Sequence, residues 1–188
     1  MIVKKTEFEG LFVVLTPVYK DERGYLFECY TKGEYSDIPD FKKYNFVHEL
    51  VSVSQKNVFR GLHLQEGLFG QGKLAQVLNG EVIDVVVDLR KDSKTYGQHY
   101  MTALNNEVQD GYQRQLWIPP GFAHGFLSLY DNTIFHYKCT FPRIPKAERT
   151  INVNEFDFDW FFGSCIMSDK DKSGITLKEY EREQNEKI

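Results

Sequence analysis

Three segments of the sequence carry side chains that can transfer protons. Residues 59–65 (FRGLHLQ) contain His63, the following QGKL motif contains Lys73, and residues 135–140 (FHYKCT) contain Tyr137. A histidine, with an ordinary pKa of about 6.5, suits a general base at neutral pH. A lysine can stabilise an oxyanion, and a tyrosine can donate a proton. On residue type alone these groups indicate an acid–base pocket, with a hydrogen-bonded structural role as the alternative for each.

The histidines lack the local spacing of a metal site. No two of them are one or two residues apart, and no HExxH motif is present. Zinc sites that are visible in a sequence use such short spacings. The sequence therefore predicts no required metal. The five histidines are His48, His63, His99, His124 and His136.

Strands are expected to position these residues. The stretch 82–89 (VIDVVVDL) is rich in β-branched residues, and Asn79-Gly80 before it is a hairpin-turn signal. Turn signals recur about every ten residues with no helical run between them. We therefore predict an all-β sandwich or barrel. Helix is expected only around Lys32–Ser36 and over the charged C-terminal stretch Thr176–Lys187.

The composition indicates a soluble globular protein. The chain has 188 residues, of which 41% are hydrophobic and 27% charged, and its formal net charge is −4. It has no bulk basic field for nucleic acid or an anionic membrane, no apolar signal region and no apolar run near the ~20 residues that span a bilayer. Three widely spaced cysteines without CxxC suit a reducing compartment. We expect one cytoplasmic domain over residues 1–188, with no nucleic-acid or membrane partner.

Several motifs, taken in order, make the sequence resemble the RmlC-like sugar-nucleotide 3,5-epimerases. They are DERG (21–24), RGLHLQ (60–65), QGKL (71–74), GEVIDVVVDLR (80–90), LWIPPGFAHGFL (116–127), YKCT (137–140) and MSDKD (167–171). The resemblance implies a cupin-like jelly-roll β-barrel with short helices that works as a homodimer without metal or cofactor. Such enzymes invert C3, C5 or both in a nucleotide-linked 4-keto sugar, for the synthesis of surface-polysaccharide sugars.

The resemblance also implies roles for residues of this chain. His63 matches the base, and Asp171 matches the carboxylate that orients it, as in other His–Asp pairs. Lys73 matches the residue near the C4 oxygen, where negative charge develops. Tyr137 matches the acid that returns a proton on the opposite face. The matching substrate-binding positions are Arg23, Glu28, Arg60, His124 and Lys170, and we add Glu148 to the predicted substrate-binding residues.

Three regions depart from the rhamnose-pathway pattern of this family. In FVHELVS (46–52), His48 and Leu50 replace a Gln and an Asn that help to seat the nucleotide. EGLFG (66–70) replaces a Pro-Pro pair, and Arg143 stands where a tyrosine is usual. We include His48 and Arg143 among the predicted substrate-binding residues. The nucleotide (dTDP or GDP) and the sugar (6-deoxyhexose or heptose) stay open.

Strand parity conflicts with one of these assignments. Arg60 and His63 are three residues apart, so on a regular strand they face opposite sides. Either a kink at Gly61 turns Arg60 inward, or Arg60 serves the neighbouring subunit of a dimer. Sequence leaves both alternatives open.

Parity supports the assignment of the acid. Phe135 and Tyr137 share one strand face, opposite to His136 and Lys138. If the apolar Phe135 face lines the barrel, Tyr137 points inward and the other two side chains point away from the cavity.

Two other functions are compatible with the fold. One is a non-catalytic jelly roll that binds sugar nucleotides, and the other is a 3,4-ketoisomerase on a related barrel. The presence of His63, Lys73, Tyr137 and Asp171 together argues against the first. RGLHLQ and YKCT favour the epimerases over the second.

Overall fold

A computed structural model describes residues 1–35, 38, 41–158 and 165–186. The described residues hold twelve strands: β1 Ile2–Lys5, β2 Phe12–Asp21, β3 Gly24–Phe27, β4 His48–Ser54, β5 Phe59–Gln65, β6 Lys73–Asn79, β7 Glu81–Asp88, β8 His99–Asn105, β9 Tyr112–Ile118, β10 Phe122–Ser128, β11 Thr133–Cys139 and β12 Glu148–Thr150. The α-helices are α1 Lys32–Tyr35, α2 Asp169–Lys172 and α3 Leu177–Glu186. Short 3₁₀ turns cover Phe41–Lys43, Gly67–Phe69, Pro145–Ala147 and Val153–Glu155. Within these segments no helix combines the length and apolar character needed to cross a bilayer.

The strands form two facing antiparallel sheets. The first has the order β1-β2-β9-β6-β11-β4, with β3 paired to β2, and the second has the order β12-β5-β10-β7-β8. From β4 to β12 the chain changes sheet at every step except β7 to β8, in the manner of a jelly roll. The predicted all-β, cupin-like jelly roll with short helices is confirmed.

The core between the sheets is built from alternate residues of the strands. Val13, Leu116 and Phe135 contribute from the first sheet, and Val86 and Phe126 from the second. All five are buried. Burial of this apolar layer stabilises the barrel by about 25 cal/mol per Å² of surface removed from water.

Strand β7 is buried on both faces, which explains its unbroken apolar run. Val82 and Val86 face the core between the sheets, whereas Val85 and Val87 face a second apolar layer outside. That layer is closed by residues 151–158 and by Tyr180 of α3. The outer face of the first sheet is covered separately, around Trp117.

The predicted turns and helices agree with the structure within a residue or two. Gly80 follows Asn79 with φ +83°, and a Cβ on it would approach Thr133 Oγ1 to 2.6 Å, so the hairpin needs glycine here. α1 ends at Tyr35 and α3 runs from Leu177 to Glu186. The predicted ends Ser36 and Lys187 lie outside the described residues. Helix α2 is too short to leave a periodic signal, and it was not predicted.

Candidate active site

A cavity of about 680 Å³ opens between the sheets beside the edge strand β4. Side chains from β4, β5, β10 and β11 line it, together with the segment 166–171. It brings together all the predicted site residues except Arg23 and Glu28. The lining includes His48, Arg60, His63, Lys73, His124, Tyr137, Arg143, Glu148, Lys170 and Asp171.

His63 and Asp171 form a close pair on the cavity wall. Nε2 of His63 lies 2.6 Å from Oδ1 of Asp171, and their side chains are 30% and 6% exposed. Asp171 reaches this position because Ser168 caps α2, accepting a hydrogen bond from the Asp171 amide at 3.2 Å. Burial raises the pKa of Asp171, but the hydrogen bond and charge of His63 outweigh it, and the net pKa is lowered. The carboxylate is therefore ionised at neutral pH.

An irregularity in β5 lets both Arg60 and His63 face the cavity. His124 of β10 pairs with His63, but Phe126, only two residues on, pairs with Arg60. β5 therefore holds one extra residue in this interval, as in a β-bulge. Gly61, with φ +136°, sits here, and a Cβ on it would lie 2.5 Å from a backbone carbon of β10. This favours the predicted kink at Gly61.

Lys73 lies deep in the cavity next to His63. Its Nζ donates to the His63 carbonyl at 3.2 Å, and the residue is only 8% exposed. Burial lowers the pKa of Lys73, and the nearby Cys139, Asp84 and Glu148 partly restore it. In its protonated form, a lysine that is buried in this way gains most from a new negative charge placed beside it.

Tyr137 points into the cavity on the face shared with Phe135, as its parity predicts. The two rings are 5.8 Å apart, and burial raises the pKa of the tyrosine hydroxyl. His136 and Lys138 point the other way, where both contact Glu49, at 2.6 and 2.8 Å. Tyr137 thus holds its proton at neutral pH and presents it to the cavity.

A second histidine–aspartate pair lies beside the first, and its carboxylate was missed in the sequence. Nε2 of His124 is 2.9 Å from Oδ2 of Asp84, and the side chains are 6% and 0% exposed. Burial raises the pKa of Asp84 and lowers that of His124. The signal was visible, because an aspartate inside the run VIDVVVD of a doubly buried strand needs a partner.

Arg143 and Lys170 share the carboxylate of Glu148 at the cavity mouth. Arg143 Nε donates to Glu148 Oε2 at 2.8 Å, and Lys170 Nζ bonds the other oxygen. The Glu148 side chain is 12% exposed, against 60% for Arg143 and 46% for Lys170. Burial raises the pKa of Glu148, but these two hydrogen bonds outweigh it and lower the pKa.

Gln65 ties together two of the segments that depart from the family pattern. Its Nε2 donates to the carbonyls of Phe69 and Pro142 at 3.0 and 3.1 Å, and its Oε1 accepts from the Ile144 amide. The rings of Phe69 and Phe141 meet edge to face at 5.7 Å. The EGLFG and FPR segments are therefore one packed unit at the mouth.

The third departure lies on the edge strand β4, which pairs with β11. His48, Leu50 and Ser52 of β4 all line the cavity. Nδ1 of His48 and Oγ of Ser52 are buried and have no hydrogen-bond partner among the described residues. A buried polar atom without a partner is costly, so these two are suited to a ligand.

The single chain does not bring Arg23 and Glu28 to the cavity. Arg23 lies in the turn between β2 and β3, its side chain 85% exposed, and forms an ion pair with Asp21. Glu28 directly follows β3 and is not among the residues that line the cavity.

No three His, Cys, Asp or Glu side chains in the described segments are grouped to hold a metal. One cavity of a cupin-like jelly roll thus holds a His–Asp pair, a buried lysine and a tyrosine, the set that the resemblance to the sugar-nucleotide epimerases, a class of isomerase, leads us to expect. A family model described as dTDP-4-dehydrorhamnose 3,5-epimerase matches residues 5–179, and the chain belongs to this family. The resemblance found in the sequence and the prediction of an isomerase are confirmed.

Individual relatives of known name are also epimerases of this family. The dTDP-4-dehydrorhamnose 3,5-epimerase of Salmonella typhimurium is 42% identical over 180 residues, covering 94% of this chain and 96% of its own. The structure of RmlC from Legionella pneumophila in complex with dTDP-4-keto-L-rhamnose is 37% identical, with a TM-score of 0.89. The match covers 97% of this chain and 95% of the Legionella chain. The structure of the epimerase of Bacillus anthracis with TDP and PPi bound is 35% identical, with a TM-score of 0.86. The match covers 94% of this chain and 99% of the Bacillus chain.

Proposed function

We propose that this enzyme inverts C3, C5 or both in a nucleotide-linked 4-keto sugar by proton transfer through an enolate. The observation that carries the proposal is the 2.6 Å His63–Asp171 pair in one cavity with Lys73 and Tyr137. The C4 ketone acidifies the protons on both neighbouring carbons. A base on one face and an acid on the other suffice to invert either centre.

In the first step His63 removes the proton. Because Nε2 of His63 contacts Asp171, Nδ1 is the nitrogen left to accept it. The carboxylate, kept ionised by its lowered pKa, then stabilises the imidazolium. The C–H electron pair moves to the ketone and leaves an enolate with its charge on O4.

Lys73 stabilises that charge. Its ammonium has lost most of its contact with water and donates to the His63 carbonyl, so it is held in place before the reaction. A fixed donor at the developing oxyanion needs no reorganisation in the transition state. Lys73 also supplies the positive charge for which other enzymes use a metal, so we propose that no metal or cofactor is required.

Tyr137 completes the inversion by returning a proton to the other face of the enolate. Its hydroxyl holds a proton at neutral pH because burial raises its pKa. The enolate carbon takes this proton and the C4 ketone reforms. Tyr137 then regains a proton from solvent, and the His63 imidazolium releases to solvent the proton that it removed.

The relatives support a thymidine nucleotide. The Legionella structure is of a complex with dTDP-4-keto-L-rhamnose, and the Bacillus structure holds TDP and PPi. The changed residues His48, Leu50 and Arg143 keep a GDP-linked sugar, including a heptose, as the alternative. We place the product among precursors of surface-polysaccharide sugars, made in the cytoplasm.

We further propose that residues 1–188 form one domain that works as a homodimer. Arg23 projects from the β2–β3 hairpin, where Tyr19 and Leu26 are 61% and 64% exposed. An exposed apolar hairpin of this kind is suited to pack on a second copy, and Arg23 or Glu28 would then reach the partner's cavity. Light scattering at micromolar concentration should show the dimer, and a fully active monomer would contradict it.

The reaction is tested by NMR of the sugar in deuterated water, with dTDP- and GDP-linked 4-keto-6-deoxy sugars as substrates. We expect deuterium at C3, C5 or both, with the inverted configuration, for one of the two nucleotides. A non-catalytic binding protein would incorporate none, and a ketoisomerase would give a 3-keto product. Either result would overturn the proposal.

A further inference from the structure

On the outer face of the first sheet, hydrogen-bonded side chains form a row across neighbouring strands. Gln115 of β9 donates to Gln76 of β6 at 2.9 Å. Gln76 contacts Nδ1 of His136 of β11 at 2.9 Å, and Nε2 of the same histidine contacts Glu49 of β4 at 2.6 Å. We call these four side chains the polar row. Only Glu49 reaches the surface, and the proposed mechanism uses none of the four.

The inner end of the polar row fixes which atoms donate. The backbone carbonyl of Cys29 can only accept, so the Gln115 atom that lies 2.8 Å from it is Nε2. The same nitrogen donates to Oε1 of Gln76, while Oε1 of Gln115 accepts from the Tyr35 hydroxyl at 2.6 Å. The Gln76 atom that faces His136 is therefore Nε2. Because this nitrogen can only donate, Nδ1 of His136 must accept.

His136 is accordingly held neutral, with its proton on Nε2. That proton is donated to Oε1 of Glu49, whose other oxygen bonds Lys138 at 2.8 Å. The hydrogen bonds from Lys138 and His136 lower the pKa of Glu49, so the acceptor is ionised at neutral pH. A proton on Nδ1 would instead face the Gln76 amide with two donors. That amide cannot turn over without breaking its bond to Gln115.

The bond to Glu49 lies behind the cavity wall that β4 provides. Among the described residues β4 ends the sheet, so β11 is the neighbour that holds it. Glu49 lies between His48 and Leu50, which line the cavity, and Leu50 is paired with Tyr137. Side chains alternate along a strand, so a bond from His136 on the outer face fixes the backbone that presents the lining residues on the inner face.

We propose that His136 is a positioning residue, which through Glu49 keeps the cavity wall of β4 in the place that binds the substrate. The inference rests on the proposed function, because it needs a substrate between β4 and Tyr137. None of the groups that transfer protons lies on β4, and β6 also holds the strand of Tyr137 from its other side. Loss of the bond should therefore weaken substrate binding and spare the chemical step.

The test is a steady-state comparison with the 4-keto sugar nucleotide that the wild type turns over. Glu49→Val removes the acceptor at an exposed position and keeps a residue suited to a strand. We expect its KM to rise about tenfold and its kcat to change less than about twofold. His136→Leu should give the same split, whereas Glu49→Gln keeps an oxygen for His136 and should raise KM less than about threefold. Val53→Thr, on the same outer face of β4 but outside the polar row, should change neither.

The protonation of His136 is read separately by NMR of protein with ¹⁵N-labelled histidine. Its signal is identified by its absence in His136→Leu and by its shift in Glu49→Val. We expect a neutral ring with the proton on Nε2 at neutral pH. A proton on Nδ1, or an imidazolium, would overturn the inference whatever the kinetics show.

The kinetic results separate positioning from a merely structural role. A lower Tm or kcat with unchanged KM would show that the polar row only stabilises the fold, because a smaller folded fraction does not alter KM. That result, or an equal rise of KM in Val53→Thr, would overturn the inference and leave the proposed function intact. Turnover of no 4-keto sugar nucleotide by the wild type would overturn the proposed function and this inference with it.

Discussion

Two histidine–aspartate pairs stand side by side in the cavity and differ in their contact with water. His63 and His124 are direct neighbours in the register of β5 and β10. The His63 side chain is 30% exposed and its partner Asp171 is 6% exposed, whereas His124 and Asp84 are 6% and 0% exposed. The same two residue types therefore sit in two different dielectric environments.

The difference in burial shifts the pKa values of the two pairs differently. In the deep pair, burial raises the pKa of Asp84 and lowers that of His124, so new charge is disfavoured on both. In the open pair, the pKa of Asp171 is lowered, so an ionised carboxylate faces His63. A base must become an imidazolium, and only the open pair is arranged to stabilise one. We infer that His63 moves the proton and that His124 holds the substrate by hydrogen bonding.

Replacing each histidine should give the largest contrast between the pairs. His63→Asn removes the general base and should lower turnover by about 10²–10⁴-fold. His124→Asn keeps a hydrogen-bonding group and should lose only about tenfold. Steady-state product formation measures both, and equal losses would mean that the two pairs act as one unit.

Tyr137→Phe should have the next largest effect, because it removes the proton donor and keeps the ring. Formation of the epimer should slow by about 10²-fold, while His63 still removes the proton. The substrate should then gain deuterium at C3 or C5 with its configuration retained. Epimerisation at the wild-type rate, or a pocket-lining role for Lys138, would remove Tyr137 as the acid.

The two aspartates should respond oppositely to pH in thermal unfolding. A lowered carboxyl pKa, as at Asp171, contributes stability above the unfolded value of about 3.9 that is lost as pH falls. A raised pKa, as at Asp84, contributes stability at low pH that is lost as pH rises through the folded value. At pH 7, Asp171→Asn should lower Tm by about 2–4 °C, and Asp84→Asn should raise Tm or leave it unchanged.

The control for this contrast is the same pair of melts near pH 3. There the deficit of Asp171→Asn should shrink, because pH 3 lies below the unfolded value of about 3.9, and protonation of this carboxyl in the unfolded chain removes part of the stability that it contributes. A deficit that stays constant from pH 7 to pH 3 would show that Asp171 acts by packing and not by charge.

Metal removal should have the smallest effect. In the proposed mechanism Lys73 supplies the positive charge at O4, so treatment with EDTA followed by desalting should leave turnover within error of the untreated enzyme. Loss of activity that a divalent ion restores would contradict this.

Much of this architecture can be predicted from the sequence because it depends on the local alternation of inward- and outward-facing side chains along a strand. The run 82–89 predicts β7, and the parity of Phe135 and Tyr137 correctly predicts that Tyr137 faces the cavity. The remainder depends on pairings between distant strands. The bulge that turns Arg60 inward arises from the register of β5 against β10, and no local pattern encodes it.

Two groups of side chains likewise depend on contacts between distant segments, which the sequence pattern does not predict. Arg143, Glu148 and Lys170 meet only because a short helix, a short strand and a loop converge. His124 and Asp84 are forty residues apart in sequence and become partners through adjacent strands. The resemblance to the family identified most of these side chains, but it did not indicate their partners.

The central claim is that the open His63–Asp171 pair, and not the buried one, removes the substrate proton. Its most direct test is deuterium wash-in from deuterated water into the 4-keto sugar, followed by NMR, for wild type, His63→Asn and His124→Asn at equal enzyme concentration. We predict rapid wash-in at C3 or C5 for wild type, slower but clear wash-in for His124→Asn, and almost none for His63→Asn. Wash-in that persists in His63→Asn and disappears in His124→Asn would contradict the account.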